Sequence, residues 1–577
     1  MKTVIIFCVI SLYVAAGHGE REWWRTMSLY QIYPRSFKDS NGDGVGDLKG
    51  IKSKLNHLPE SNIDAFWVSP IYPSPMVDFG YDISNFVDID PIFGTIQDFE
   101  DLLDTAHNMS LKMIMDLVPN HSSDKHEWFQ KSLQNIEPYT DYYVWRNGTV
   151  LENGTVVPPN NWVSVFAGSA WTWRMERQAY YLHQFAPEQP DLNFNNENVV
   201  REMQDVMRFW LNKGVDGFRV DAILHLCEDD RFLDEPLSGD TNNPNDYGYT
   251  VKTFTKDQPK TYEIVKGWSE VLKEYEDSKV MMMEAYTDIP MTMKYYEAGA
   301  SFPFNFGMIT DANKSSTAED FKKLIDRWMS NMPTGAAANW VVGNHDKPRL
   351  VTRFGSKRAR AVTLMTLLLP GVSVTYNGEE IGMEDTWVSW EDTKDPQGCN
   401  AGHNRFEQMS RDPARSPFQW DNTTSAGFSA NPKTWLPIND NYKTINLATE
   451  KEQINSYYNF YKAMSWLKKA PFVVNGNLTT TVLNNRVLLI SRETAEDGSV
   501  IAVLNLSNKA EYVNLSQFDN VSCGLNLYYA TDGSNLVPGE SLEKPTTSWG
   551  IRKYVEMISA IELGLYDLVR DYYNIFG

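Results

Sequence analysis

The 577-residue chain is longer than one ordinary domain, and its 42% hydrophobic content and mean hydropathy of -0.43 fit a water-soluble globular protein. A formal net charge of -22 argues against nucleic acid or an anionic membrane as partner and fits a neutral substrate. Aromatic residues make up 13%, enough for a large core and for a cleft that stacks on sugar faces, so composition alone does not separate the two.

The chain opens with Lys2, an apolar run over 4–16 and small residues at Ala15, Ala16, Gly17 and Gly19. This reads as a secretory signal peptide over 1–19, too short for a comfortable membrane span. Sequons at Asn108, Asn147, Asn153, Asn313, Asn422, Asn477, Asn505, Asn514 and Asn520 agree with a secreted, extracellular glycoprotein. Cys8 leaves with the leader, so Cys227, Cys399 and Cys523 allow one disulfide at most, in a pairing left open. Near the C-terminus, Glu562, Asp567, Arg570 and Asp571 interrupt the last apolar stretch and rule out a transmembrane segment there.

Strand-forming runs are expected at 28–33, 65–69, 112–117, 216–220, 280–284, 301–306, 339–343 and 372–376, several of them almost wholly apolar as in a parallel sheet buried on both faces. Helical spacing fills 98–107, 199–211, 318–329 and 356–369 between them. Eight such units predict an α/β fold, a (β/α)8 TIM barrel over 20–120 and 199–470. The long connection 121–198, with Trp128, Trp145, Trp162, Trp171 and Trp173, reads as an inserted subdomain after the third strand. A helix from about 450 to 469 is ended by Pro471, and runs at 486–491, 500–506 and 524–530 predict a C-terminal antiparallel β domain over 471–577. The tail beyond Tyr554 looks helical.

Four patterns end predicted strands: Asp116-Leu-Val-Pro-Asn-His121, Gly217-Phe-Arg219-Val-Asp221-Ala222, Glu284-Ala-Tyr286 and Val342-Gly-Asn-His345-Asp346. Taken singly, Asp221 with Arg219 two residues before it on the same strand face reads equally as a structural ion pair. Taken together, four acids, two histidines and an arginine converge on the rim where barrel enzymes carry their chemistry. Paired carboxylates flanking one bond are what glycoside hydrolysis needs. In that reading Asp221 attacks the anomeric carbon, Glu284, following an apolar run, serves as acid and then base, and Asp346 orients ring hydroxyls.

In this order the four patterns resemble the signature regions of the α-amylase superfamily, glycoside hydrolase family 13. Gln189-Pro-Asp-Leu-Asn193, the stretch 371–382 and Arg411-Asp-Pro-Ala-Arg415-Ser-Pro-Phe-Gln-Trp420 resemble further family regions. With the leader, the sequons and Pro73-Ser-Pro-Met-Val-Asp78-Phe-Gly-Tyr81-Asp82, the chain resembles the secreted insect maltases, bee α-glucosidases among them.

The resemblance implies catalytic roles for Asp221, Glu284 and Asp346, and a first sugar subsite lined by Arg219, His121 and His345. It also implies that Asp78 and Tyr81 close the subsite, with Asp78 and Arg415 gripping the non-reducing glucose, so that attack is exo. Ala222, after the nucleophile, resembles the α-1,4-cleaving members, which implies maltose, short maltooligosaccharides and sucrose as substrates. A glucosyl-transferring enzyme such as a sucrose isomerase shares the covalent step, and a non-enzymatic receptor-like or transporter-associated relative shares the barrel. Apart from this site, Asp39-Ser-Asn41-Gly-Asp43-Gly-Val45-Gly-Asp47 spaces oxygen donors as the first part of an EF-hand loop does, with Gly50 where the closing Glu would stand. A solvated Asp/Gly turn is the plain alternative. Relatives carry structural Ca2+ at the matching loop, which implies Ca2+ here, and no organic cofactor is expected.

Overall fold

The computed structural model describes residues 22–496 and 498–507 and, beyond them, strand segments Glu511–Val513, Leu525–Ala530, Ser541–Leu542, Trp549–Ile551 and Glu556–Ile561. The leader, Cys523, Asn514 and Asn520 lie outside the described residues.

All eight expected barrel strands form: β1 (Ser28–Ile32), β2 (Ala65–Val68), β3 (Lys112–Leu117), β4 (Gly217–Val220), β5 (Val280–Met283), β6 (Phe302–Pro303), β7 (Asn339–Val341) and β8 (Val372–Tyr376). Their order in the sheet is β6-β5-β4-β3-β2-β1-β8-β7, and every pairing is parallel. Among the described residues no backbone ladder joins β6 and β7, and a side chain hydrogen-bonds across the gap. The Asn339 carboxamide donates to the Pro303 carbonyl and accepts from the Asn305 N–H, each at 2.7 Å.

Strand side chains alternate between two cores. Leu29, Ala65, Trp67, Ile114, Val280, Met282, Phe302, Val341, Val372 and Val374 fill the barrel interior. Tyr30, Phe66, Met113, Phe218, Met281 and Trp340 face the outer layer with the helices. Those helices include Ile96–Asn108, Glu197–Asn212, Ala318–Asn331 and Ser356–Leu368. Thr95 and Thr317 each close a reciprocal capping box, with Asp98 and Asp320 respectively. Gly217 is required where β4 passes β5: its φ is +152°, and a Cβ there would meet the Val280 carbonyl oxygen at 2.0 Å.

The long connection after β3 holds helix Glu127–Leu133 and a three-stranded antiparallel sheet of Trp145–Arg146, Ala179–Leu182 and Trp171–Arg174. It also holds the hairpin Thr149–Val150/Val156–Val157. Toward the C-terminus an antiparallel sheet runs in the order 477–483, 487–494, 498–505, 556–561, 525–530, 541–542.

Three expectations need correction here. The helix foreseen over 450–469 is two, Leu447–Glu452 and Tyr457–Lys468, because the Ser456 hydroxyl accepts from the Asn459 N–H and starts a new N-terminus. Pro471 opens a further short helix, Pro471–Val474, as its fixed φ permits at a first turn. Residues Glu556–Ile561 of the tail pair as a strand between 498–505 and 525–530, so pairing within the sheet overrides their helical appearance. Cys227 is buried and Cys399 exposed, and the two are not bridged to each other. Among the described residues no helix is long and apolar enough to cross a membrane.

Candidate active site

The alternation that fills the barrel also builds its rim. One step beyond Ile114 on the inward face is Asp116, beyond Gly217 come Arg219 and Asp221, and beyond Met282 comes Glu284. In register, Asp116 lies beside Arg219, and Arg219 beside Met282. The guanidinium therefore projects into a ring of acids. Arg219 Nη1 donates to Asp116 Oδ1 and Oδ2 at 2.8 and 3.0 Å and to Asp221 Oδ1 at 2.7 Å, while Nη2 pairs with Glu284 Oε2 at 2.9 Å. Ala222 takes a left-handed conformation at φ 45°, which lets its N–H donate to Glu284 Oε2 at 3.0 Å.

One cation thus serves three buried carboxyls. Burial pushes Asp116 up to about 6 against the pull of Arg219, and it pushes Asp221 well above the usual range, with Glu284, Asp116 and Asp346 adding to the rise. Asp346 goes the other way. Burial disfavours its charge, but His345, Arg411, Arg415 and Arg219 hold it far below the ordinary carboxylate range. Its side chain is 21% exposed, against 11% for Asp221 and 9% for Glu284, so it is the acid most open to the entrance.

Histidine and tyrosine join the two groups of acids. Tyr81 Oη lies 2.9 Å from His345 Nε2 and 3.2 Å from Asp116 Oδ2, and Gln31 Nε2 lies 2.7 Å from His345 Nδ1. With Gln31 donating to Nδ1, the His345 proton sits on Nε2 and points at Tyr81, whose hydroxyl then donates to Asp116. The rings of Tyr81 and Tyr33 lie nearly parallel to that of His345, with centroids 5.5 and 5.4 Å from it. Burial takes His345 down to about 3 and His121 down to about 4, so both are neutral. His121 Nε2 meets the Tyr81 carbonyl and Gln189 Nε2, each at 3.1 Å.

Two arginines of the 411–420 segment divide the rim acids between them. Asp78 Oδ1 pairs at 2.7 Å with Arg411, which also reaches Asp346 at 3.2 Å and Asp395 at 2.6 Å. Arg415 instead donates to Asp346 at 2.9 Å and to the His345 carbonyl at 2.9 Å. Arg411 opens the very segment that contains Arg415, and only the way that segment folds over the rim separates their roles. Asp395, which orients Arg411 through Nε and Nη2, carried no sequence signal.

The loop 39–47 lies away from this centre. Asp39 accepts from the N–H groups of Asn41, Gly42 and Gly44 and from Ser429 Oγ, Asn41 from Asp43, and Asp43 from Val45. Asp47 caps helix Leu48–Lys54 and accepts from Ser40 and Gly50. The donor set is all oxygen, which suits a hard cation, although these hydrogen bonds already occupy the carboxylates of Asp39 and Asp47. Among the described residues no three His, Cys, Asp or Glu side chains converge as metal ligands.

The profile described as "Alpha amylase, catalytic domain" matches residues 31–476. The chain belongs to the alpha-amylase family. As a family member it is a glycoside hydrolase, and its eight-stranded barrel is the fold of that catalytic domain. It is 57% identical to an alpha-glucosidase of Apis mellifera over 93% of this chain and 95% of the relative. With maltase 1 of Drosophila virilis it shares 47% identity over 86% of this chain and 80% of the relative. A solved alpha-glucosyl transfer enzyme, XgtA, superposes with a TM-score of 0.83 at 33% identity, covering 94% of this chain and all of the other.

Proposed function

We propose that this alpha-amylase family member is a secreted, retaining, exo-acting α-glucosidase that releases terminal α-1,4-linked glucose from maltose, short maltooligosaccharides and sucrose. The observation that carries the reading is the bridging of Asp221 and Glu284 by one guanidinium. One guanidinium holds Asp221 and Glu284 together at the rim, as the paired carboxylates that glycoside hydrolysis needs. In the reactive form the proton is on Glu284 and Asp221 is ionised against Arg219; Glu284 gives its proton to the glycosidic oxygen as Asp221 Oδ attacks the anomeric carbon, and the aglycone leaves as an alcohol. Glu284 then takes a proton from water, whose oxygen displaces Asp221 and restores the α-anomer. Asp346, kept ionised by Arg411 and Arg415, binds ring hydroxyls and favours the distorted sugar.

The Asp78–Arg411 pair, braced by Asp395, blocks the non-reducing end, which supports exo attack. Support for α-1,4 linkage rests on Ala222, and support for secretion on the leader and on likeness to salivary α-glucosidases of Anopheles gambiae and Aedes aegypti. Residues 121–198 are read as a subdomain walling the pocket, and 471–577 as a separate β domain. Ca2+ is proposed at the loop 39–47, held by Asp39, Asn41, Asp43, Val45 and Asp47, with a structural role only.

Likeness to an alpha-glucosyl transfer enzyme favours a second reading, in which a sugar hydroxyl replaces water in the second step. Proton NMR of fresh maltose digestion tests the first: α-glucose is expected at once, and initial β-glucose overturns retention. Trisaccharide as the main product at low maltose would favour transfer. Asp221→Asn is expected to lower turnover by on the order of 10^4-fold or more while the protein stays folded.

A further inference from the structure

The hairpin Thr149–Val150/Val156–Val157 exposes more apolar surface than its size accounts for. Val150 is 67% exposed, Leu151 45% and Val156 40%. Two short strands pair only with each other here, through Thr149↔Val157 and Val150↔Val156, and a lone hairpin of this kind is marginal in water. Clustered exposed apolar side chains mark a surface that something covers.

The same hairpin carries two of the chain's sequons, Asn147-Gly-Thr149 where it begins and Asn153-Gly-Thr155 at its tip. Both asparagines are exposed. At the tip Asn153 Oδ1 accepts the Thr155 N–H at 2.9 Å, a turn that sets the carboxamide and the threonine of one sequon side by side. Gly154, between them, has φ +79° and open space around it. Asn505 makes a similar bond to Ser507 N–H at 3.0 Å, yet it is only 3% exposed and lies within the strand Gly498–Asn505. Sequence pattern and local turn are alike at the two positions; access separates them.

We infer that Asn147 and Asn153 carry N-linked oligosaccharides that cover the apolar strip of Val150, Leu151 and Val156, and that Asn505 is bare. A lipid-diphosphate-linked oligosaccharide is the co-reactant. The asparagine Nδ2 forms a bond to the sugar's anomeric carbon, the bond from that carbon to the diphosphate breaks, the lipid diphosphate leaves with the electron pair, and the amide proton passes to a base of the transferase. The inference rests on the secretory reading above.

Site mapping of the full chain secreted by insect cells tests it. Enzymatic release of N-glycans in heavy-oxygen water, followed by peptide mass spectrometry, is expected to label Asn147 and Asn153 and leave Asn505 unlabelled. Label at Asn108, Asn313, Asn422 or Asn477 with none on the hairpin overturns the inference alone, as does label at Asn505. No label anywhere overturns the secretory reading with it. Enzymatic deglycosylation of the folded protein, and the variant Asn147→Gln/Asn153→Gln, are expected to leave maltose turnover unchanged and to raise light scattering on warming severalfold above an Asn108→Gln control. Scattering equal to the control means that the sugars do not cover the strip.

Discussion

Arg219 is a single charge shared by Asp116, Asp221 and Glu284, so the fully ionised cluster would hold two uncompensated negative charges in a buried site. Protons relieve this, and the sign of the pH dependence follows. Asp116 titrates at about 6, Glu379 and Glu450 at about 7 and Asp191 at about 8, each raised mainly by burial above a carboxylate's value of roughly 4 in the unfolded chain. Their stabilisation is complete below that unfolded value and is lost as pH rises through the folded ones. Asp346 and Asp216, both lowered, act oppositely and lose their contribution in acid. Melting temperature is therefore expected to fall from pH 6 to 8.5 and again below about pH 4, where a melt flat from 6 to 8.5 would sink the account. Arg411 gives a sharper test, since it faces Asp78, Asp346 and Asp395. Arg411→Ala leaves buried carboxylates unpaired and is expected to cost roughly 3 to 5 kcal/mol in chemical denaturation, with a large rise in KM for maltose. A normal KM would remove Arg411 from the closed end of the pocket.

At the scale of elements, the seam between β6 and β7 depends on Asn339. Asn339→Ala strands the Pro303 carbonyl and the Asn305 N–H in a buried site, which is expected to cost about 2 to 4 kcal/mol in urea melts; a loss below about 0.5 kcal/mol would mean the seam is held by packing alone. The strands themselves were legible because parallel strands buried on both faces are nearly continuous apolar runs, and an acid ending such a run, as at Asp221 and Glu284, stands out. Strand Asn477–Leu483 was not foreseen. It is an edge strand whose threonines stay part-exposed, so it lacks the apolar run that marks the others. The pairing of Arg411 with Asp78 was not legible either, because the two are 333 residues apart and meet only through the way the 411–420 segment folds over the rim.

For the whole molecule, the loop 39–47 ties the first barrel strand to a distant segment. Ser429 reaches Asp39, Asn431 reaches the Gly42 carbonyl, and the Trp435 N–H donates to the Gly44 carbonyl. Trp435 in turn packs against Tyr33 and Phe79, next to Asp78 and His345. If Ca2+ occupies the loop, chelation is expected to lower the melting temperature by several degrees and to leave the anomer of the product unchanged; an unchanged melt with no metal in elemental analysis counts against it. The Asn339 seam has a further meaning at this scale. Without a ladder between β6 and β7, the sheet keeps two edges, wound until they meet. An edge is a template for any strand that can reach it. Phe302 and Trp340, both fully buried on these edges, place them out of reach of other chains, so the protection against strand capture comes from the surrounding packing as much as from closure of the ring.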